Sequence, residues 1–288
     1  MDDFEAHRGR LLSVAYRMLG SLADAEDAVQ ETWLRLARTD TTELRNLGGW
    51  LRTVLSRVCL DMLRLRETRR EEPAGEEPEA APGAEQEALL ADEVGRALLV
   101  VVDRLGPAER VAFVLHDMFA VPFDEIAPMV GRSAATTKKL ASRARAKVRG
   151  APADAKPARQ VVEAFLAASR AGDLDAVLAV LSPDVVRRAD SAGISAGRPP
   201  EVRGARTVAE EIVVFGRNAR FADLAVIDGA VGLVIAPRGR LKLAIAFTIE
   251  AERITGYELI AEPARLRTLD LAVLDGRGLE RGCSDEPS

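Results

Sequence analysis

Apolar residues recur at helical spacing along the first part of the chain. One series covers residues 11–19 and is broken at Gly20. A second amphipathic series, over 25–37, has acidic residues in its first turn, where the helix dipole favours them. A third series starts near Leu47. Residues 4–66 are therefore predicted to be all-helical.

The composition changes abruptly after residue 70. Residues 71–87 hold three prolines, two glycines and many glutamates, with little to bury. Such a segment is typical of a flexible, acidic linker. It separates a first domain, 1–70, from a second helical domain, 88–150. A shorter linker, 151–157, rich in alanine and proline, follows the second domain.

Residues 122–149 have the pattern of a helix-turn-helix. A short acidic helix with an apolar face is followed by Gly131, which supplies a tight turn, and by Ser133, which can cap the next helix. The predicted buried stripe of that second helix consists of Leu140, Ala144 and Val148.

The rest of this second helix is strongly basic and holds no acid from Lys138 onward. In a DNA major groove its first turn would lie on base edges and its later cations near phosphates. An ordinary basic amphipathic helix has the same composition, and that alternative stays open. The cations in question are Lys138, Lys139, Arg143, Arg145, Lys147 and Arg149.

A different pattern follows residue 157. Helices are predicted over 157–170, 173–181 and 208–215, and valine- and isoleucine-rich strands come after them. The predicted strands cover 222–227, 230–236, 241–251 and 254–261. We expect an α+β domain over residues 158–274, with helices packed on a curved antiparallel sheet, and a polar tail, 275–288.

Composition limits the class of protein. The chain has 288 residues and a net charge of −5, so any nucleic-acid surface must be local. Its two cysteines, Cys59 and Cys283, lie outside any metal-binding or redox spacing. The first residues, Met-Asp-Asp-Phe-Glu, are not the basic region and apolar run of a signal peptide, and no stretch approaches the length of a membrane span. We therefore expect a cytoplasmic protein with no metal, no cofactor and no membrane insertion.

Four segments of the helical part resemble one family, the extracytoplasmic-function (ECF) sigma factors of the sigma-70 class. They occur in the family's order within about residues 4–150. The resemblance implies sigma region 2 in the first domain and sigma region 4 in the second. The segments are Ala15-Tyr16-Arg17-Met18-Leu19-Gly20, 24–33 (DAEDAVQETW), Gly49-Trp50-Leu51 with Asp61, and 105–145.

The resemblance implies a surface for core RNA polymerase on the second helix. The matching residues are Asp27, Gln30, Glu31 and Trp33. They offer carboxylates, an amide and an aromatic anchor, as an interface with a hot spot would. A place for Trp33 in the core is an equally weighted alternative.

The resemblance also implies promoter contacts. The start of the third helix corresponds to the part that opens the −10 element, which requires an unstacked base and a bound single strand. Trp50 could instead pack this helix down. The candidate −10 residues are Asn46, Trp50, Arg52, Arg57, Arg64 and Arg66.

The resemblance places the contacts with the −35 element at the start of the basic helix. The candidate −35 residues are Arg132, Ser133, Thr136, Thr137, Lys138, Lys139 and Arg143. Many family members have Arg-Leu where this chain has Leu140-Ala141, which leaves the facing of the recognition helix open.

The C-terminal part resembles the SnoaL-like fold, a cone-shaped α+β barrel related to nuclear transport factor 2. Enzymes of this fold use Asp and His for acid–base work, but both histidines of this chain lie before residue 158. The favoured hypothesis is regulation through contact with the sigma domains. In related fused proteins a loop does this, and the matching loop here holds Asp190 and Gly193.

The sequence therefore predicts a multidomain protein with two all-α sigma domains and a C-terminal SnoaL-like domain. Its expected function is promoter-specific transcription initiation, with core RNA polymerase and promoter DNA as partners and no catalytic residues. The rivals are a DNA-binding regulator that does not join polymerase and a SnoaL-type enzyme or ligand-binding module with a DNA-binding appendage. A small ligand and an anti-sigma partner are left open.

Overall fold

The structure is a computed structural model that describes residues 2–40, 46–69, 90–91, 94–149, 156–194 and 198–274. The predicted acidic linker and the polar tail lie outside these residues. Contacts divide the chain into two compact units. The first contains the residues before 95 and those of 102–147, and the second contains 95–101 and the C-terminal domain from 148 onward. This division separates 95–101 from the rest of the predicted domain 88–150.

Three helices open the first unit, as the periodicity predicted. They are α1 (Asp2–Leu19), α2 (Leu22–Ala37) and α3 (Leu47–Arg69). The Ser21 hydroxyl caps α2 by accepting the Asp24 N–H at 3.4 Å. Their apolar faces form one core, in which Met18, Leu51 and Leu55 have no measurable exposure.

The second helical part includes α4 (Arg96–Val102), which belongs to the second unit up to residue 101. It continues in α5 (Pro107–Phe113) and a π-helical turn, Val114–Met118. The predicted helix-turn-helix follows as α6 (Phe123–Val130) and α7 (Ala134–Val148). Gly131 joins them at φ 66°, a left-handed conformation that glycine adopts without strain.

The C-terminal domain is α+β, as predicted. Its helices are α8 (Lys156–Ala171), α9 (Leu174–Val180), α10 (Ala205–Phe215) and α11 (Pro263–Thr268). Its seven-stranded sheet has the order β2-β1-β6-β5-β4-β3-β7. The strands are β1 (Leu181–Ala189), β2 (Glu201–Arg203), β3 (Ala222–Ile227), β4 (Ala230–Ile235), β5 (Leu243–Glu250), β6 (Arg253–Ile260) and β7 (Leu271–Val273).

Strands β3 to β6 form the predicted antiparallel meander, but the rest of the sheet differs from the prediction. Leu181, assigned to a helix, begins β1, which pairs in parallel with β6. Strands β2 and β7 are three residues long and were not predicted. The charge and proline content of β1 conceal its strand character, because tertiary pairing overrides a weak local propensity.

A buried ion pair lies beside the aromatic core of this domain. The Arg187 guanidinium donates two hydrogen bonds to Glu211 Oε2, at 3.2 and 3.0 Å, and its Nη1 donates to the Pro199 carbonyl at 3.0 Å. The Arg187 side chain is only 3% exposed. Burial also raises the pKa of the nearby Tyr257 phenol, which stays neutral at physiological pH. Sequence analysis missed this pair because charged residues are seldom fully buried.

Asp190 fixes the loop after β1 to the end of β6. Its Oδ1 accepts the Gly193 N–H at 2.8 Å, and its Oδ2 accepts the N–H groups of Ala261 and Glu262, each at 2.9 Å. The side chain is 7% exposed, and Arg265 Nη1 lies 3.7 Å away. The Asp190 carboxylate therefore stabilises the C-terminal domain itself.

Replacement of Asp190 by alanine should destabilise the C-terminal domain by about 2 kcal/mol or more, because three N–H groups lose their acceptor. Chemical denaturation followed by domain-specific hydrogen exchange measures this. The control is Asp184→Ala, which removes an exposed carboxylate from the same strand and should change stability by less than about 0.5 kcal/mol. Equal stability of both variants would refute the anchoring role of Asp190.

Candidate functional site

The outer side of α2 carries the residues predicted to bind polymerase. Asp27 and Gln30 are exposed, and Glu31 pairs with Arg35 at 2.9 Å on the helix surface. Trp33 is 38% exposed, so the alternative that places it in the core is wrong. The opposite face of α2 is buried and positions this surface.

The first turn of α3 places two of the predicted −10 residues. The Asn46 side-chain oxygen accepts the Gly49 N–H at 2.8 Å and so caps α3. Trp50 is half-buried beside the fully buried Leu51. Both residues therefore have a structural role, and the sequence alternative in which Trp50 helps to pack the helix agrees with its burial.

The four arginines predicted for the −10 element are in different environments. Arg64 is exposed, with Asp61 at 3.8 Å on the same helix. Arg66 donates to the Leu19 carbonyl at 2.7 Å and also binds Asp24, so it joins α3 to the C-terminal end of α1. Arg66 therefore also has a packing role, but its side chain is 37% exposed, and its contact with the −10 element stays a prediction.

The other two arginines of α3 contact the first helix of the helix-turn-helix. Arg52 Nη2 lies 3.3 Å from Glu125 Oε2, and Arg57 donates to the Pro128 carbonyl at 3.4 Å. Both contacts are on the surface. In this arrangement two arginines predicted to bind DNA instead contact α6.

A buried arginine, which sequence analysis missed, joins the same two parts of the first unit. Arg110 on α5 donates to the Met18 carbonyl of α1 at 3.1 Å and to Asp103 at 3.0 Å. It is 4% exposed. Nothing in its local sequence distinguishes it from the many exposed arginines, since contacts with residues far along the chain bury it.

The buried stripe of α7 contains Ala144 and Val148, as predicted, but not Leu140. Its buried residues are Thr137, Ala141, Ala144 and Val148, whereas Leu140 is partly exposed. The Thr137 hydroxyl donates to the Ser133 carbonyl at 3.0 Å. Thr137 therefore lies against the core, which corrects its assignment to the −35 contact surface.

The cap of α7 uses two further predicted contact residues. The Ser133 hydroxyl accepts the Thr136 N–H at 3.3 Å, and the two hydroxyl oxygens lie 2.9 Å apart. Both side chains stabilise the helix start. Arg132, just before the cap, is exposed.

The cations of α7 form two groups. Arg145 lies 2.7 Å from Asp117, and Lys147 lies 2.7 Å from Glu109, so acids of region 4 hold both. Lys138, Lys139 and Arg143 are exposed. Lys139 and Arg143 lie one turn apart, on the side of α7 opposite to its buried stripe. This outer face is the positively charged surface that the sequence predicted.

The aspartates of the C-terminal domain are used structurally. Asp223 accepts the Arg96 N–H at 2.7 Å, and Asp228 accepts the Asp270 N–H at 2.7 Å. Asp190 accepts three N–H groups, as described above, and Asp184 is exposed on β1.

Within the part of the chain that the structure describes, no group of three or more His, Cys, Asp or Glu residues is placed to hold a metal ion. Among those residues there is also no helix with the length and apolarity that crossing a membrane requires.

Comparisons with known proteins agree with the two helical regions. The family model of Sigma-70 region 2 matches residues 4–70, and that of Sigma-70, region 4 matches residues 95–148. Two similar proteins of Mycobacterium tuberculosis are the ECF RNA polymerase sigma factor SigJ, 39% identical over 96% of this chain and 88% of SigJ, and the probable ECF RNA polymerase sigma factor SigI, 36% identical over 92% of this chain and 94% of SigI.

A solved structure is also similar. The crystal structure of Mycobacterium tuberculosis SigJ aligns over 92% of this chain and 98% of that chain, with 36% identity and a TM-score of 0.46. Because both sigma-70 regions match and the identity to SigJ extends over nearly the whole of both proteins, this chain belongs to the ECF sigma factors of RNA polymerase.

Proposed function

We propose that this sigma factor binds core RNA polymerase through the outer side of α2, reads the −35 element with α7 and engages the −10 element with the first half of α3. It directs transcription initiation in the cytoplasm and has no chemistry of its own. The observation that carries the proposal is the facing of α7. Its buried stripe leaves Lys139 and Arg143 directed outward on a helix that begins directly after the turn at Gly131.

Exposure and chemistry support the polymerase surface on α2. A tryptophan that keeps 38% of its surface in water, beside an exposed amide and carboxylates, is typical of an unoccupied protein interface. The same feature distinguishes this proposal from a DNA-binding regulator, which would have no use for a polymerase-binding surface.

The double substitution Gln30→Lys/Glu31→Lys should weaken binding to core RNA polymerase at least tenfold, because it reverses the charge of the proposed interface. Fluorescence anisotropy with labelled sigma factor measures the affinity. Glu5→Lys, a charge reversal at an exposed site on α1, is the control and should bind as the wild type does. Normal core binding by the double variant would favour the regulator.

For the −35 element, the positions of the exposed side chains on and beside α7 support two kinds of DNA contact, to base edges and to phosphates. Arg132 is the exposed side chain at the helix start, and we assign it to base edges, since arginine pairs with guanine O6 and N7. Lys138, Lys139 and Arg143 lie farther along and are assigned to phosphates. Thr137 has no place in this surface because it is buried.

Lys139→Ala should reduce the steepness of the salt dependence of promoter binding by about one unit, because one phosphate contact is lost. Affinities of the holoenzyme at several salt concentrations give this slope. Lys147→Ala removes a cation that Glu109 holds and serves as the control, with an unchanged slope. An equal decrease in the salt dependence of promoter binding in both variants would show that the outer face of α7 is not the specific contact surface.

Promoter geometry requires regions 2 and 4 to separate. The −10 and −35 elements are about 25 base pairs apart, or about 85 Å of duplex DNA. In the first unit α3 and α6 are in direct contact, and Arg110 binds the end of α1. Such a unit cannot reach both elements at once. We therefore expect the Arg110 contact to break when the protein joins polymerase, which would also release Arg52 and Arg57.

Fluorescence energy transfer between dyes on Glu67→Cys and Ala146→Cys should fall when core polymerase is added. Cys283→Ser removes one competing thiol, and burial raises the pKa of Cys59 to about 12, which keeps it unreactive. Arg110→Lys should lower the transfer before polymerase is added, because lysine has one nitrogen in place of the two with which Arg110 binds the Met18 carbonyl and Asp103.

The control for this measurement is Arg66→Lys. Arg66 also donates to the end of α1, but it comes from region 2 and should not hold region 4. Unchanged energy transfer in a sample with proven core binding would contradict the separation of the two regions.

For the C-terminal domain we propose regulation rather than catalysis. Asp190, Asp223 and Asp228 accept backbone N–H groups, and Glu211 pairs with Arg187, so these carboxylates are engaged in holding the fold. The alternative, a SnoaL-type enzyme, would need an acid–base group that is free to exchange protons with a substrate. Turnover that Asp190→Asn abolishes in a folded protein would revive it.

A further inference from the structure

The family match for region 4 begins at residue 95, so α4 is the first helix of that match. Residues 95–101 nevertheless belong to the same compact unit as the C-terminal domain. A helix assigned by sequence to promoter recognition is therefore packed with the SnoaL-like part of the chain.

Helix α4 depends on its surroundings to be helical. It has seven residues, Arg-Ala-Leu-Leu-Val-Val-Val, of which three are consecutive valines. A helix this short is unstable alone in water, and β-branched side chains lower its propensity further. Each of its side chains is buried, with 2–5% of its surface exposed. Tertiary contacts must therefore stabilise it.

The first of these contacts is an N-cap supplied from far along the sequence. Gly95, which precedes the helix, has no side chain to serve as a cap. Asp223 Oδ2 instead accepts the N–H of Arg96 at 2.7 Å and that of Ala97 at 3.3 Å. A carboxylate in this position satisfies two free donors and interacts favourably with the helix dipole.

Three more contacts come from the same domain. The Arg96 guanidinium carbon lies 5.7 Å from the centre of the Phe221 ring, and its Nη1 lies 3.9 Å from Asp223 Oδ1. Gly239 approaches Leu99 so closely that a Cβ at residue 239 would come within 2.7 Å of Leu99 Cδ1. The helix is thus held at its start and along its side.

We propose that Phe221, Asp223 and Gly239 form a docking surface for α4, through which the C-terminal domain sets the state of the promoter-reading region. When α4 leaves this surface, its helix loses its cap and unfolds, and region 4 loses its first helix. This inference rests on the proposed function, and it assigns the coupling to the Asp223 surface rather than to the Asp190 loop.

Hydrogen exchange of the free, full-length protein tests the contact without polymerase. Asp223→Ala should accelerate exchange of the amides of residues 97–102 about fivefold or more, the usual effect of losing a helix cap. Asp228→Ala is the matched control, because it removes a carboxylate that follows β3 and caps an amide at the same 2.7 Å within the domain. Unchanged exchange at 97–102 in Asp223→Ala, or equal acceleration in both variants, would overturn the proposal.

A second pair of variants distinguishes loss of the α4 contact from general misfolding. Gly239→Ala and Gly229→Ala both place a Cβ at a positive φ, 74° and 81°, but only residue 239 has α4 beside it. We expect faster exchange at 97–102 in Gly239→Ala alone. Equal exchange at 97–102 in these two variants would also overturn the docking surface.

Run-off transcription with purified core polymerase tests the functional consequence. From a promoter with both elements, Asp223→Ala should yield about fivefold less transcript than Asp228→Ala, with equal core binding. Accelerated exchange with unchanged transcription would refute the coupling. Absence of core binding by the wild type would instead refute the proposed function, and the two failures are therefore distinguishable.

Discussion

The C-terminal end of α1 is the point on which the helical unit depends. The last carbonyl groups of a helix have no partner within it and carry a partial negative charge. Here the Met18 carbonyl accepts from Arg110 and the Leu19 carbonyl accepts from Arg66. One arginine belongs to region 4 and the other to region 2. The same helix end therefore stabilises the region 2 core and also holds region 4, through a contact that the proposed promoter binding would have to break.

The two arginines differ in what their release would cost. Arg110 is 4% exposed and also binds Asp103, so removal from its site exchanges one buried set of hydrogen bonds for hydration. The surface contacts of Arg52 and Arg57 are weaker. Arg52 forms an exposed ion pair with Glu125, which contributes only about 0–1 kcal/mol, and Arg57 donates one long hydrogen bond at the surface. Among these contacts, that of Arg110 is therefore the one whose release we expect to cost most.

Carboxylates in the C-terminal domain act on the backbone. Asp190, Asp223 and Asp228 each accept N–H groups that lie more than 40 residues away in the chain. An acid that holds two segments together is poorly placed to exchange protons with a substrate. In this domain one such carboxylate, that of Asp223, supports α4.

The sequence by itself determined the helices of both sigma regions, the turn at Gly131 and the meander of β3 to β6, because local periodicity and turn residues encode each of these features. It also located the basic helix and the exposed side of α2. Tertiary structure alone decided the facing of α7, where Ala141 rather than Leu140 is buried, and the use of Arg66 and Arg110 at the end of α1. It decided the parallel β1–β6 pair and the cap that Asp223 provides for α4 as well. These features depend on contacts between residues far apart in the chain, and no local pattern records which distant group will satisfy a buried donor or acceptor.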